Sequence, residues 1–74
     1  MERRTLDVRG WLCPVPLLRT RRALAELPAG TELIVLATDP EAPIDLAALA
    51  ADEGHGFSQE HRPEGLRLRL IKRA

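Results

Sequence analysis

Cysteine and aromatic residues are scarce in this sequence. Its 74 residues include one cysteine, one tryptophan, one phenylalanine and no tyrosine. A single cysteine excludes an internal disulfide, and a small secreted domain would usually need several, so the reducing cytoplasm is the expected location. The two aromatic side chains, Trp11 and Phe57, provide little surface on which nucleic-acid bases could stack. Direct binding to nucleic acid is therefore not expected.

The sequence also lacks a charge excess and a long apolar run. Its 11 basic and 11 acidic side chains balance, so no net field attracts nucleic acid or an anionic membrane. Residues 1–5 lead directly into an alternating pattern, without an apolar stretch long enough for a signal peptide or a membrane span. We therefore expect a cytoplasmic protein without a membrane partner. We also expect it to act as a monomer.

What is present is the composition of an ordinary globular domain. Hydrophobic residues make up 45% of the chain and charged residues 30%, which is enough apolar material for a packed core. A chain of 74 residues has room for one such core. The sequence therefore predicts a single domain over residues 1–74.

Periodicity predicts six secondary-structure elements. Strands are expected where polar and apolar residues alternate or where apolar residues run continuously, and helices where leucines recur on one side of a helical wheel. The predicted elements are a strand over residues 5–9, a helix over 14–26, a strand over 31–38, a helix over 43–53, and hairpin strands over 57–61 and 66–70. On the first helix the predicted buried side consists of Leu17, Leu18, Leu24 and Leu27.

The last strand predicts how the layers are arranged. Leu66, Leu68 and Leu70 fall on one face, whereas Arg67 and Arg69 fall on the other, which is therefore expected to contact water. Helices should then cover one side of the sheet. The predicted fold is a two-layer α/β sandwich of βαβαββ order, with a four-stranded mixed sheet and two helices on one face.

The most informative segment surrounds the lone Cys13 at the start of the first helix. If Cys13 is the helix cap, then Pro14 and Pro16 occupy first-turn positions where an amide has no intrahelical partner. The Val15 amide and the helix dipole would then favour the thiolate, which predicts a modestly lowered thiol pKa. A buried, inert cysteine is the alternative. Without a second cysteine, sulfur loaded on Cys13 cannot be expelled by a thiol of the same chain.

The segment Leu6-Asp7-x-Arg9-Gly10-x-x-Cys13-Pro14-x-Pro16 resembles the signature of the TusA/SirA sulfur-carrier family. The resemblance extends to Arg21-Arg22, Asp39-Pro40, Asp45 and the closing strand. It implies that Cys13 accepts persulfide sulfur from a cysteine desulfurase or a rhodanese-like donor and passes it to an acceptor protein. Relays of this kind serve tRNA thiolation, molybdenum cofactor maturation or sulfur oxidation. Val15 stands where some relatives have an acidic residue, and Ile44 stands where members of the tRNA pathway often have a basic one. These two departures from the family pattern weigh against the tRNA pathway.

Basic residues of the first helix are candidates for supporting this site. Arg21 is predicted to reach the helix edge nearest Cys13, where a basic residue also fits the resemblance. With Arg19 and Arg22 it would form a docking patch for an acidic partner, although a solvated helix face is the alternative for those two.

Asp39 ends the central strand at the sheet edge where Cys13 is also expected, and a simple turn residue is the competing interpretation. Trp11 lies next to Cys13 in the sequence, where it would shield a persulfide from water or mark a surface on which a partner docks. The alternative is that it only covers the end of the helix. His55 and His61 have no recognised zinc spacing with Cys13, so neither a metal nor a cofactor is expected.

Three functions remain open at this point. The first is a sulfur carrier, a sulfurtransferase-type relay protein rather than a self-contained turnover enzyme, because no general base or cofactor motif is evident. The second is a non-catalytic protein-binding or regulatory module that uses the same surface. The third is a peroxide-sensing thiol that passes through sulfenic acid.

Overall fold

Six elements follow one another in the order βαβαββ in the computed structural model, which describes residues 2–73. They are β1 (Arg3–Asp7), α1 (Val15–Glu26), β2 (Glu32–Ala37), α2 (Ala42–Glu53), β3 (Gly56–Arg62) and β4 (Gly65–Ile71). The predicted order is confirmed. The first strand lies earlier than the predicted residues 5–9, because it pairs with β2 from Arg3 opposite Glu32 to Asp7 opposite Leu36. Local alternation does not reveal that partner.

The four strands form one mixed sheet in the order β1-β2-β4-β3. β1 runs parallel to β2, whereas β2 with β4 and β4 with β3 are antiparallel. β2 therefore has a neighbour on each side, and five of its six residues are buried. This position explains its nearly continuous apolar sequence. Among residues 2–73, no helix is long and apolar enough to cross a membrane.

The core lies between the sheet and the two helices. Its buried members include Leu33 and Val35 of β2, Leu68 and Leu70 of β4, and Leu46 of α2. The predicted inward face of the last strand and the predicted two-layer fold are thereby confirmed. In the register of the sheet Leu33 lies opposite Leu70 and Val35 opposite Leu68, so both strands present their apolar residues to the helices.

The face of the sheet that the helices do not cover is only partly exposed to solvent. Arg69 is exposed as predicted, but Ile34 and Glu32 of β2 are 3% and 2% exposed on that same face. Arg3 of β1 and Arg69 of β4 both form ion pairs with the Glu32 carboxylate. The hydrogen bond from Arg69 has the largest effect on the pKa of Glu32, and that from Arg3 adds to it. Together they lower this pKa by more than burial raises it, so it lies below its ordinary value. The long arginine side chains thus shield the Glu32 carboxylate from solvent on this face.

The buried side of α1 differs from its prediction. Pro16, Thr20 and Leu24 are buried, whereas Leu18 is 47% exposed. These three residues are spaced by four and form one stripe along the helix, which turns Leu18 towards solvent. The grouping of Leu18 with the core leucines was therefore wrong. A threonine occupies the middle of the stripe.

Replacing Thr20 with valine is expected to raise the free energy of unfolding by about 1 kcal/mol. Thr20 is fully buried, and within residues 2–73 its hydroxyl finds no hydrogen-bond partner. Valine has nearly the same shape and removes that unpaired group. Urea unfolding of parent and variant measures the difference.

Thr31→Val is the matched control for this prediction. Thr31 is equally buried, but its hydroxyl donates to the Pro28 carbonyl at 2.8 Å. Its replacement is expected to lower the free energy of unfolding by about 1 kcal/mol, because the Pro28 carbonyl loses the hydroxyl donor and keeps the longer hydrogen bond from the Thr31 amide at 3.3 Å. Stabilisation by both substitutions, or by neither, would contradict the assignment of Thr20 as the unpaired hydroxyl.

Candidate functional site

The segment of residues 8–14 between β1 and α1, here called the Cys13 loop, is tied to the carboxyl end of β2. The Val8 amide donates to the Leu36 carbonyl at 2.8 Å, and the Gly10 amide donates to the Thr38 hydroxyl at 2.8 Å. Gly10 has a φ of +85°, a backbone conformation that glycine adopts without strain. The loop therefore begins in a defined position at this edge of the sheet.

Asp7 and Arg9 stiffen the entry to the Cys13 loop. Oδ1 of Asp7 accepts hydrogen bonds from the backbone amide and Nε of Arg9 at 3.0 and 2.9 Å, and Oδ2 accepts from Nη2 at 2.8 Å. These bonds lower the pKa of Asp7 to about 2, so the pair remains ionised at neutral pH. The pair gives a structural reason for the Asp7-x-Arg9-Gly10 part of the motif.

Asp39 joins the Cys13 loop to the start of α2. One carboxylate oxygen accepts the Cys13 amide at 2.7 Å, and the other accepts the Glu41 amide at 3.0 Å. The Asp39 backbone carbonyl accepts the Ala42 amide at 3.0 Å, and the residue is only 5% exposed. The predicted proximity of Asp39 and Cys13 is confirmed. Asp39 is both a turn residue and a support of the cysteine, so the two interpretations coincide.

Cys13 is exposed, so the alternative that it is a buried hydrophobic residue is wrong. Its thiol donates a hydrogen bond to Oδ2 of Asp45, with 3.4 Å between sulfur and oxygen. Asp45 lies in the first turn of α2 and is half-buried. The site therefore combines an accessible sulfur with a carboxylate from the neighbouring helix.

The predicted lowering of the Cys13 pKa is wrong. The helix cap is Pro14 rather than Cys13, and the Val15 amide donates to the Leu12 carbonyl at 3.0 Å instead of the sulfur. The hydrogen bond to Asp45 raises the thiol pKa above its ordinary value, as do partial desolvation and the nearby negative charges. Those charges belong to Asp45, Asp39 and Glu41. The carboxylates around Cys13 therefore favour the protonated thiol.

Exposed apolar side chains occur in the Cys13 loop and near the starts of α1 and α2. We call these four residues the apolar rim: Trp11 (48% exposed), Leu12 (70%), Leu18 (47%) and Ile44 (65%). Trp11 and Leu12 precede Cys13 in the loop, and Ile44 precedes Asp45. The Arg19 guanidinium lies 5.3 Å from the centre of the Trp11 ring, a distance typical of a cation–π contact. Apolar side chains that remain exposed on a small domain are typical of a protein contact surface.

The remaining predicted site residues differ in burial and in their contacts with the Cys13 loop. Pro14 is the exposed helix cap and Pro16 is the buried second residue of α1. Arg21 is exposed, and among residues 2–73 its side chain has no hydrogen bond or ion pair, so the predicted approach to Cys13 is not seen as a contact. Arg22 lies 3.8 Å from Glu26 on the solvated side of α1. Of the proposed basic patch, Arg19 is the member in contact with the Cys13 loop.

Asp45 is the residue that pattern analysis missed as part of the site. It entered only as one position of the family resemblance, without a role. The available signal was topological, because the first turn of a helix that follows a central strand starts at the sheet edge where Cys13 also lies. Among residues 2–73, no group of three or more histidine, cysteine, aspartate or glutamate side chains is arranged to hold a metal ion.

Comparisons with known proteins show the family to which the sequence and the fold are similar. A family model described as sulfurtransferase TusA matches residues 4–72. A Neisseria meningitidis protein with a sulfur-carrier name is 42% identical, with 89% of each chain covered. The sulfur carrier protein TusA of Allochromatium vinosum is 35% identical over 93% of this chain and 91% of its own. The crystal structure of a SirA-like protein from Desulfitobacterium hafniense superimposes with a TM-score of 0.80 at 31% identity, covering 90% of this chain and 92% of that one.

Proposed function

This chain belongs to the TusA family of sulfur carriers, and from that premise we propose that it carries sulfur as a persulfide on Cys13 in the cytoplasm. A cysteine desulfurase or a rhodanese-like protein would load the sulfur, and a second protein would receive it. The observation that carries the proposal is the exposed thiol of Cys13, held at the sheet edge by Asp39. A carrier needs such a thiol because both donor and acceptor must reach the sulfur.

Two further features support the proposal. Cys13 is the sole cysteine, so the chain has no internal thiol that could displace the loaded sulfur as sulfide or close a disulfide. The apolar rim offers a surface on which a donor or an acceptor can dock around the sulfur. Arg21 remains a proposed partner-binding residue through its exposed position on α1.

Sulfur loading is the direct test of this function. After incubation with a cysteine desulfurase and cysteine, we expect the intact mass of the protein to increase by one sulfur atom and a reductant to reverse the gain. Protein whose Cys13 has first been blocked with iodoacetamide is the control, and it should gain nothing. The proposal fails if neither a desulfurase nor a persulfide-loaded rhodanese adds sulfur to the unblocked protein.

The apolar rim also favours a second candidate, a protein-binding or regulatory module that does not use the chemistry of Cys13. Such a module would function equally well without a thiol. The peroxide-sensing alternative is distinguished from the carrier by experiment, because a sensor would form sulfenic acid on Cys13 when exposed to peroxide.

A further inference from the structure

Asp45 contacts the atom at which the proposed reaction takes place. Resting on the proposed function, we infer that Asp45 is a catalytic residue whose carboxylate takes the proton of the Cys13 thiol when the sulfur attacks a donor persulfide. The sulfur of Cys13 lies 3.4 Å from Oδ2 of Asp45. This contact already points the thiol hydrogen at its acceptor, which is the arrangement general-base catalysis requires.

The other charged groups near Cys13 are less suited to this role. Both carboxylate oxygens of Asp39 accept backbone amides, from Cys13 and Glu41, and protonation would weaken these bonds. Glu41 acts on the thiol through its charge, and within residues 2–73 it makes no hydrogen bond with the sulfur. On α1, the Arg19 guanidinium is held over the ring of Trp11. Asp45 is therefore the carboxylate in contact with the sulfur.

A base within the site matters most once a donor has docked. While the carrier is free, water reaches the exposed thiol and can take its proton. A donor seated on the apolar rim would displace that water, and the proton then needs an acceptor inside the interface. Asp45 is half-buried beside the sulfur and remains available there.

The transfer balances without an added oxidant or reductant. The sulfur of Cys13 attacks the outer sulfur of the donor persulfide, so a new sulfur–sulfur bond forms on Cys13 and that of the donor breaks. The donor cysteine leaves as a thiolate with the electron pair of the broken bond. The thiol proton of Cys13 passes to Asp45 and then to the departing donor thiolate. The products are a Cys13 persulfide and a donor thiol, and sulfane sulfur has only changed carrier.

Asp45→Asn should therefore make Cys13 react faster in the free protein and more slowly with a docked donor. In the free carrier, loss of the negative charge lowers the thiol pKa, so alkylation by iodoacetamide at neutral pH is expected to become several-fold faster. Sulfur uptake from a desulfurase persulfide is expected to become at least about tenfold slower. General-base catalysis usually contributes at least about 10²-fold to a rate. A smaller loss is expected here, because thiolate that forms before docking still reacts. A merely structural role would not separate the two rates.

Glu41→Gln is the matched control, because it removes a nearby negative charge that does not touch the sulfur. It should speed alkylation slightly and leave uptake near the parental rate. The experiment records the pH profile of alkylation between about pH 6 and pH 10, and single-turnover sulfur uptake by intact mass. Circular dichroism verifies folding. Asp45→Ser replaces Asp45→Asn if the latter does not fold.

The outcomes separate the inference from the function on which it rests. If the parent takes up sulfur and a folded Asp45→Asn or Asp45→Ser variant does so at the parental rate or faster, Asp45 is not the proton acceptor and the inference is wrong. If the parent takes up no sulfur from any donor, the proposed function fails and the inference with it. Slower sulfur uptake together with faster alkylation in the Asp45 variant supports both the role of Asp45 and the proposed function.

Discussion

Replacing Cys13 with serine is expected to abolish sulfur uptake while leaving the fold unchanged. A hydroxyl oxygen cannot form a persulfide, so no sulfur can be held at this position. The exposed Cys13 side chain contributes little packing, and a serine hydroxyl can donate to Asp45 as the thiol does. The free energy of unfolding should therefore change by less than about 0.5 kcal/mol, as for other surface substitutions. Intact mass and urea unfolding measure the two effects.

The same variant separates a carrier from a binding module. Cys13→Ser retains the apolar rim and should still dock with the donor, so a large excess of it is expected to slow sulfur transfer to the parent protein by competition. A binding module would instead remain fully active in the variant. Full activity of Cys13→Ser in a complete relay, from donor to final acceptor, would exclude sulfur carriage on Cys13.

Replacing Asp39 with alanine is expected to lower the free energy of unfolding by about 2 to 4 kcal/mol, the largest stability effect predicted here. Asp39 is nearly fully buried, and its carboxylate accepts the amides of Cys13 and Glu41. Alanine leaves both amides without that acceptor. Because one of them belongs to Cys13, sulfur uptake should also slow at temperatures where the variant is still folded.

Asp39→Asn tests this explanation with a side chain of the same shape. Its amide group has one oxygen, so it can accept one of the two backbone amides but presents a donor to the other. We expect a loss of stability about half that of Asp39→Ala, measured by urea unfolding. Glu41→Gln keeps the backbone amide and alters an exposed side chain, so it should have the stability of the parent. Equal stability of Asp39→Ala and the parent would show that these hydrogen bonds do not hold the loop.

Much of the fold could be predicted because its apolar pattern is nearly regular. Leucines alternate in β4, and apolar residues run continuously through β2. Gly54 ends α2 with a φ of +76°, a left-handed conformation that is typical of a glycine after the last turn of a helix. Each of these features depends on neighbours in sequence. The misplacements, of β1 and of Leu18, occurred where pairing or packing with a distant segment decided the outcome.

The sequence by itself determined the order of the elements, the position of Cys13 between a strand and a helix, and the two prolines that follow it. Tertiary structure alone decided the chemistry of the thiol. Asp39 and Asp45 lie 26 and 32 residues from Cys13 along the chain, and they reach it because β1 and β2 are parallel and end at the same edge of the sheet. Periodicity reports which face a side chain occupies, but the pKa of a thiol depends on charges within a few ångströms. Those charges arrive only when the sheet and the helices have packed.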